Sequence, residues 1–241
     1  MIVLFTDFGL KGPYMGQMRA RIHELAPKET VVDLMTDAPA FNVGISARLL
    51  AGLIDHMPKK AVFVCVVDPG VGSSRKPLCI RIKERWFVGP DNGLFQFVLK
   101  NEPDAVAYVI DWRPEHLSLS FHGRDLFGPV AAKLATEQEV AMTILPLDQL
   151  VILEEEQNHY AIAHIDDFGN CWVSIRDFEI SKEATIVIKN HHFFYSAVFS
   201  DTEKGKPFWY INSSGFVEIA VNQGDAAGRF NLTIGDRVNF I

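Results

Sequence analysis

The stretch AVFVCVVDPGVGSSR, residues 61–75, gives the first indication of the fold. Its seven leading residues are all apolar, which is typical of a strand buried on both faces, and they run directly into the carboxylate Asp68. A glycine-rich turn follows and ends at Arg75. Because ligands of open α/β sheets bind at the carboxyl ends of the strands, this strand end is a candidate site.

Apolar runs on both sides of this stretch extend the pattern. Strands are predicted at residues 2–6, 30–35, 61–67 and 105–110, helices at residues 14–25, 43–54, 94–99 and 125–136, and a hairpin at residues 77–88. Strands that alternate with helices predict a parallel or mixed sheet covered on both faces. We therefore expect an α/β N-terminal domain, residues 1–150, with a mixed, mostly parallel sheet.

The second half of the chain carries short strand patterns separated by Gly, Asn and Asp. They lie at residues 160–165, 170–175, 184–188, 193–199, 207–212, 216–221 and 237–241. This succession predicts a small all-β, barrel-like C-terminal domain, residues 151–241. The boundary is expected within residues 143–157.

Composition narrows the class of protein. The chain has 241 residues and a formal net charge of −7, which argues against a general nucleic-acid binder because such proteins need a basic face.

The cysteines Cys65, Cys79 and Cys171 show no C-x-x-C spacing, as expected of reduced thiols in a cytoplasmic protein. No apolar run is long enough to span a bilayer, and Asp7 interrupts the apolar start where a secretory signal would lie.

Five polar clusters stand at the ends of predicted strands. They are TDFG at residues 6–9, DPGVGSSR at 68–75, GPDNG at 89–93, FHGRDLFGP at 121–129 and IDDFGN at 165–170. Taken singly, Asp7, Asp91 and Asp166 are explained as turn formers, and His122 as a core histidine. The number of clusters favours a site. None has metal-ligand spacing, and the glycine-rich turn lacks the lysine of a P-loop, so we expect no metal.

Six motifs in order carry a resemblance to a known family: FTDFG, VVDPGVGSSR, FVGPDNG, FHGRDLFGP, IDDFGN and INSSGFVEIAVN. The sequence resembles the S-adenosyl-L-methionine (SAM) hydrolases, or SAM hydroxide adenosyltransferases, which are relatives of the bacterial fluorinase and chlorinase. The resemblance covers nearly the whole chain. It implies an α/β domain followed by a β-barrel domain, and a homotrimer whose sites lie between subunits. SAM is then the substrate and adenosine a product, with no cofactor.

The resemblance also implies roles for individual residues. Asp7 matches the carboxylate that holds the ribose hydroxyls, and the trio Asp68, Arg75 and His122 matches the groups around the attacking water. Contacts from the C-terminal domain match Asp166, Phe168 and Asn170, with the phenyl ring against adenine and the amide at its edge. Ser213 and Ser214 match the segment near the methionine carboxylate, where the halogenases have arginine at the second position.

Three hypotheses for function follow. The first is hydrolysis of SAM to adenosine and methionine by attack of an activated water at C5′. The second is halide attack on the same carbon, which Asp68 disfavours because a carboxylate repels an anion. The compact N-terminal half also leaves little room for the extra loop of the halogenases. The third is a non-catalytic protein that senses adenosine or SAM, which predicts tight binding without turnover.

Overall fold

The computed structural model describes residues 1–154 and 159–241. They divide into two compact units, the first formed by Met1–Val43 and Met57–Leu153 and the second by Gly44–His56 and Glu154–Ile241. The end of the predicted boundary segment, residues 155–157, lies outside the described residues. Within the described chain, no helix is both long and apolar enough to cross a membrane.

The first unit contains a seven-stranded sheet. Its strands are β1 Ile2–Thr6, β2 Val31–Met35, β3 Val62–Val66, β4 Pro77–Ile82, β5 Arg85–Pro90, β6 Val106–Ile110 and β7 Met142–Leu145. They lie in the order β2-β1-β3-β5-β4-β6-β7. The helices of this half of the chain are α1 Tyr14–Leu25, α2 Val43–Leu53 and α3 Gly128–Ala135, and a π-helical turn, Gly123–Phe127, leads into α3. All but the first residue of α2 clusters with the second unit.

The sheet is mixed, but the prediction that it is mostly parallel is wrong. Three strand pairs, from β2 across β1 and β3 to β5, are parallel. The three pairs from β5 across β4 and β6 to β7 are antiparallel. Only Lys83 and Glu84 connect β4 to β5, and two residues are too few for a parallel crossover. Strand β7 falls in the segment assigned to the domain boundary, and residues 94–99 form turns rather than the predicted helix.

In the core of the first unit, helices α1 and α3 pack against the sheet. Alternate residues Ile2 and Leu4 of β1 are fully buried in one apolar cluster with Met18 and Ile22 of α1 and with Val130 of α3. The alternate residues of β1 follow the two-residue period of a strand, and the residues of α1 follow the 3.6-residue period of a helix, so each element turns one apolar face to this cluster. Val62, Val64 and Val66 of β3 belong to the same cluster, so β1 and its parallel neighbour β3 pack on one core.

The second unit is built of antiparallel strands. They are β8 Ile162–Ile165, β9 Cys171–Arg176, β10 Ile186–Ile188, β11 His191–Phe193, β12 Pro207–Ile211, β13 Phe216–Val221 and β14 Asn239–Phe240. The described strands form two sheets, of order β12-β13-β9-β8 and β11-β10-β14. A short helix, α4 Ala226–Phe230, was not predicted, and the strand predicted at residues 193–199 ends at Phe193. The predicted succession of short strands is confirmed, but α4 and the α2 segment mean that the unit is not purely β, and closure into a barrel stays a prediction.

Candidate active site

Two acidic residues follow the carboxyl ends of neighbouring strands in the sheet of the first unit. Strands β1 and β3 are parallel neighbours, with Thr6 opposite Val66 at their carboxyl ends. Asp7 follows β1 directly, and Asp68 follows β3 after one more residue. The fold therefore places both carboxylates where the ligands of such sheets bind.

The turn at residues 68–75 brings Arg75 back to Asp68. The N–H of Val71 donates to the carbonyl of Asp68 at 3.2 Å, and the N–H of Ser73 donates to the carbonyl of Gly70 at 3.0 Å, which makes two successive tight turns. Arg75 then donates from Nη2 to Asp68 Oδ2 at 2.5 Å and from Nε to Oδ1 at 3.0 Å. The side chains are 9% and 3% exposed, so this is a buried, forked ion pair of the stronger kind.

Gly72 allows this turn to pack against the segment before His122. Its φ is +82°, in the left-handed region, and a Cβ atom here would lie 2.6 Å from the carbonyl oxygen of Leu119. Any other residue would be strained and would push the two segments apart. Because position 72 is glycine, the turn at residues 68–75 packs closely against the loop that leads to His122.

Arg75 also contacts His122 and completes a trio. Its Nη2 lies 2.8 Å from Nδ1 of His122. An arginine only donates, so Nδ1 accepts and the neutral imidazole carries its proton on Nε2. Burial, followed by the positive charge of Arg75, lowers the pKa of His122, which agrees with a neutral ring. The three residues predicted around the attacking water are together, with the arginine in the middle.

The GPDNG motif forms hydrogen bonds on both sides of the turn at residues 68–75. The side-chain amide of Asn92 donates to the carbonyl of Val67, the residue before Asp68, at 2.9 Å. The backbone N–H of Asp91 donates to the carbonyl of Lys76, the residue after Arg75, at 2.9 Å. The sequence marked Asp91 as a turn former, but these hydrogen bonds depend on backbone partners that residue types do not reveal.

Asp7 is held by a residue that the sequence did not single out. Its Oδ2 accepts from the backbone N–H of Phe41 at 3.2 Å. Burial raises the pKa of Asp7. Phe41 has φ +61°, which is strained for a bulky side chain and costs about 1–2 kcal/mol, and its ring is 77% exposed. Phe41 therefore contacts a candidate site residue through its backbone.

A cavity of about 550 Å³ in the first unit combines these polar groups with aromatic rings. Asp7, Asp68 and His122 line it, and so does Phe41. Its aromatic wall is formed by Phe8, Tyr14 and Phe121, with ring centroids 5.3 Å apart for Tyr14 and Phe121 and 5.6 Å apart for Phe8 and Phe121. The carboxylates therefore face a cavity with an apolar side, which suits a nucleoside-sized ligand.

In the second unit Asp166 bonds mainly to its own loop. Its Oδ1 accepts from the N–H groups of Phe168 and Asn170, each at 2.9 Å, and its Oδ2 accepts from Asn170 Nδ2 at 3.1 Å. Gly169, with φ +79°, closes the loop by donating its N–H to the carbonyl of Asp166 at 2.9 Å. The carboxylate thus shapes the turn, as the simpler interpretation of the sequence held.

A second cavity, of about 790 Å³, lies within this unit. Asp166, Phe168, Asn170 and Ser213 all line it, so four of the five residues predicted for the C-terminal domain share one cavity. Asn170 is buried and Phe168 is 78% exposed. Ser214 follows Ser213 in the turn after β12, where its N–H donates to Asn212 Oδ1 at 3.0 Å.

Among residues 1–154 and 159–241, no group of three His, Cys, Asp or Glu side chains is arranged to hold a metal ion. Asp68 and His122 are instead bonded to Arg75, and Asp7 accepts from a backbone N–H group.

Comparison with known proteins places the chain in a family. Residues 2–143 match the SAM hydroxide adenosyltransferase N-terminal domain, and residues 160–239 match the SAM hydroxide adenosyltransferase C-terminal domain. The chain therefore belongs to the SAM hydroxide adenosyltransferase family, as the six motifs predicted.

Individual relatives agree over the full length. The chain is 32% identical to a protein of Methanocaldococcus jannaschii named (R)-S-adenosyl-L-methionine hydrolase, over 100% of this chain and 95% of that protein. It is 30% identical to a protein of the same name from Thermus thermophilus, over 100% and 99%. A crystal structure of an uncharacterized conserved protein from Thermotoga maritima superposes with a TM-score of 0.87 at 29% identity, over 100% of both chains.

The halogenating branch is more distant. A fluorinase of Actinopolyspora mzabensis is 24% identical over 98% of this chain and 95% of its own length.

Proposed function

We propose that this protein hydrolyses (R)-S-adenosyl-L-methionine to adenosine and L-methionine. The names of the full-length relatives support the reaction and the sulfonium epimer. The observation that carries the proposal is the buried trio in which Arg75 contacts both Asp68 and His122 beside a cavity. A carboxylate and an imidazole at one cavity wall are suited to directing a water molecule.

The proposed chemistry is a direct displacement. Water attacks C5′, the C5′–O bond forms as the C5′–S bond breaks, and sulfur keeps the electron pair and leaves as neutral methionine. The proton lost by water passes to Asp68 and then to solvent. Because a neutral thioether is a good leaving group, no general acid and no metal or other cofactor is needed. The protein has to supply a positioned, poorly solvated oxygen nucleophile.

Each member of the trio has a distinct task. Asp68 accepts a hydrogen bond or a proton from water. His122 accepts from Arg75 through Nδ1, so its Nε2–H is left as a donor that orients the water oxygen. Arg75 fixes the directions of both partners through its forked contacts.

Substrate binding is assigned to both units. Asp7 accepts from the ribose 2′- and 3′-hydroxyls, as a carboxylate can from two adjacent donors. Phe168 lies against adenine and Asn170 reads its edge, while Asp166 shapes their loop and borders the ligand. Ser213 and Ser214 contact the methionine carboxylate.

We also propose that the protein is a cytoplasmic homotrimer, with Asp7 and Asp68 supplied by one subunit and Phe168 and Asn170 by the next. The family resemblance supports the assembly, and the three free, buried cysteines support the reducing compartment. A mixture of Asp68→Ala and Asn170→Ala subunits should regain activity that neither has alone. A fully active monomer would contradict the assembly without touching the reaction.

For the second unit we propose closure of the two sheets into a barrel. Isolated bridges support it: Tyr195, after β11, pairs with Trp209 of β12, and Ala161, before β8, pairs with Arg237, before β14. The two bridges lie next to both edges of each sheet, which supports closure. Hydrogen exchange at the N–H of Trp209 should be as slow as within β13, whereas fast exchange there would indicate an open edge.

The test of the reaction is incubation of the purified protein with SAM, followed by chromatography for adenosine and methionine. Adenosine should form in equal amount to methionine, and chelation should leave the rate unchanged. 5′-Chloro- or 5′-fluoroadenosine as the main product would instead favour halide transfer. Tight binding of SAM without turnover would favour a sensor.

A further inference from the structure

Glu218 on β13 is a buried carboxylate that the roles above do not use. It is 3% exposed and lines the cavity of the second unit. Its Oε1 accepts from the hydroxyl of Tyr210 at 2.6 Å, and its Oε2 accepts from Nδ2 of Asn212 at 2.9 Å. Burial is the main cause that raises the pKa of Glu218, which shows that keeping a charge here is unfavourable.

Glu218 and two backbone N–H groups together fix the orientation of the amide of Asn212. An ionised carboxylate only accepts, so Asn212 must present its NH₂ group to Glu218. Its Oδ1 is then turned to the backbone, where it accepts from the N–H groups of Ser214 and Phe216, both at 3.0 Å. The N–H of Gly215 completes the turn by donating to the carbonyl of Asn212 at 2.9 Å.

A chain of contacts therefore runs from Glu218 through Asn212 to the turn that carries Ser213 and Ser214. We propose that Glu218 is a positioning residue that holds this turn in the conformation that binds the amino-acid end of the substrate. The proposal rests on the proposed function only for the assignment of Ser213 and Ser214 to the methionine part.

The choice of side chain supports this role. A buried charge with both oxygens bonded is costly to keep, and removal of one partner leaves the other unpaired. An amide at position 218 has one acceptor oxygen, so it cannot accept from Tyr210 and Asn212 through separate oxygens as glutamate does.

The proposal separates two ligands that differ only in the amino-acid tail. Adenosine has no tail, whereas S-adenosyl-L-homocysteine has the tail but no reactive sulfonium. In Glu218→Leu, which removes both acceptors at similar volume, the Kd of S-adenosyl-L-homocysteine should rise about tenfold, the usual effect of losing a buried bond to a charged group. The Kd of adenosine should change less than about twofold, and Glu218→Gln should lie between Glu218→Leu and wild type.

The matched control is Tyr160→Phe. Tyr160 donates its hydroxyl to Glu179 at 2.9 Å, which is another tyrosine–glutamate pair of the same unit. This variant should lower the melting temperature and leave both dissociation constants unchanged. Calorimetric titration measures both ligands, and the KM and kcat for SAM are measured in parallel, with KM raised and kcat retained in Glu218→Leu.

Several outcomes overturn the proposal. One is a Glu218→Leu variant that loses stability but keeps the wild-type ratio of the two dissociation constants. Another is an equal loss for adenosine. If Glu218→Leu does not fold, Asn212→Ala breaks the same chain of contacts from the other side and must show the same selective loss. Failure of the wild type to hydrolyse SAM would contradict the proposed reaction, whereas the binding ratio would still decide the role of Glu218.

Discussion

Asp68 and Asp166 occupy a similar sequence setting, since each follows an apolar strand and precedes a turn that contains glycine. In the first unit Asp68 directs its carboxylate to the side chain of Arg75, which in turn contacts His122, 47 residues further along the chain. In the second unit Asp166 directs its carboxylate to N–H groups two and four residues away. One carboxylate belongs to a long-range cluster of charged groups, and the other to the backbone of its own loop.

The partners of a carboxylate indicate its role better than its position in the sequence does. A carboxylate satisfied by local N–H groups is a structural element of a turn. One held by a buried arginine beside an imidazole is expensive to bury, which makes it a candidate for a functional role.

The largest effect is expected from removal of the charge of Asp68. Asp68→Asn should lower kcat roughly 10²–10⁴-fold, the usual contribution of a positioned base, while adenosine still binds. Asp166→Asn is the matched change and should leave kcat at saturating SAM within about threefold, because it loses only a loop hydrogen bond. Equal losses of kcat in the two variants would abolish the distinction. Steady-state kinetics with SAM measures both.

The packing of the turn at residues 68–75 gives the next effect. Gly72→Ala should destabilise the fold by about 2 kcal/mol or more and lower kcat, because a Cβ atom at positive φ meets the carbonyl of Leu119. Gly16→Ala in α1 is the control, since nothing lies within 4 Å of its Cβ position, and it should be neutral or stabilise by up to about 1 kcal/mol. Thermal unfolding tests both, and a Gly72→Ala protein as stable as Gly16→Ala would refute the close contact.

Asp7 tests the difference between a binding carboxylate and one that directs water. Asp7→Ala should weaken adenosine binding by about 1–3 kcal/mol, the usual cost of losing hydrogen bonds to a charged group. Asp68→Asn should bind adenosine like the wild type, because its contacts matter only when water attacks. Calorimetric titration distinguishes the two, and unchanged adenosine binding by Asp7→Ala would show that the ribose is held elsewhere.

The smallest effect concerns pH. The folded-state pKa of His122 is lowered by burial and Arg75, so below the unfolded value of about 6.5 the unfolded chain binds the extra proton more readily. His122 therefore does not lower the free energy of unfolding above that pH. Below it, the residue lowers the free energy of unfolding progressively, so the folded state loses stability as the pH falls. In His122→Asn, whose amide oxygen still accepts from Arg75, the decline in melting temperature between about pH 7 and 5 should be shallower. Parallel curves would mean that His122 is not buried in a neutral form.

The sequence predicted well what depends on short-range pattern. Uninterrupted apolar runs located β1 and β3, and the turn that returns Arg75 to Asp68 lies within eight residues. It predicted less well what depends on pairing across the chain. The hairpin β4–β5 was found from local pattern, but its insertion beside β3, which makes half of the sheet antiparallel, is a long-range choice.

Features that use the backbone were also missed. The contact of Asp7 with the N–H of Phe41 and the hydrogen bond of Asn92 to Val67 involve main-chain groups that every residue type carries. His122 was linked to Asp68 through the family resemblance, since nothing in residue spacing brings them together. The roles assigned to Ser213 and Ser214 rest on that resemblance alone.

Burial makes the three cysteine thiols of the folded protein unreactive. Burial raises the pKa of Cys65 and Cys79, and it raises that of Cys171 to about 12, so none forms a thiolate near neutral pH. A maleimide dye should therefore leave the native protein unlabelled and react only after unfolding. Gln223→Cys would then place a single reactive thiol at an exposed position of the second cavity, where a fluorophore reports the arrival of a ligand without removal of any natural cysteine or of a residue assigned to the substrate.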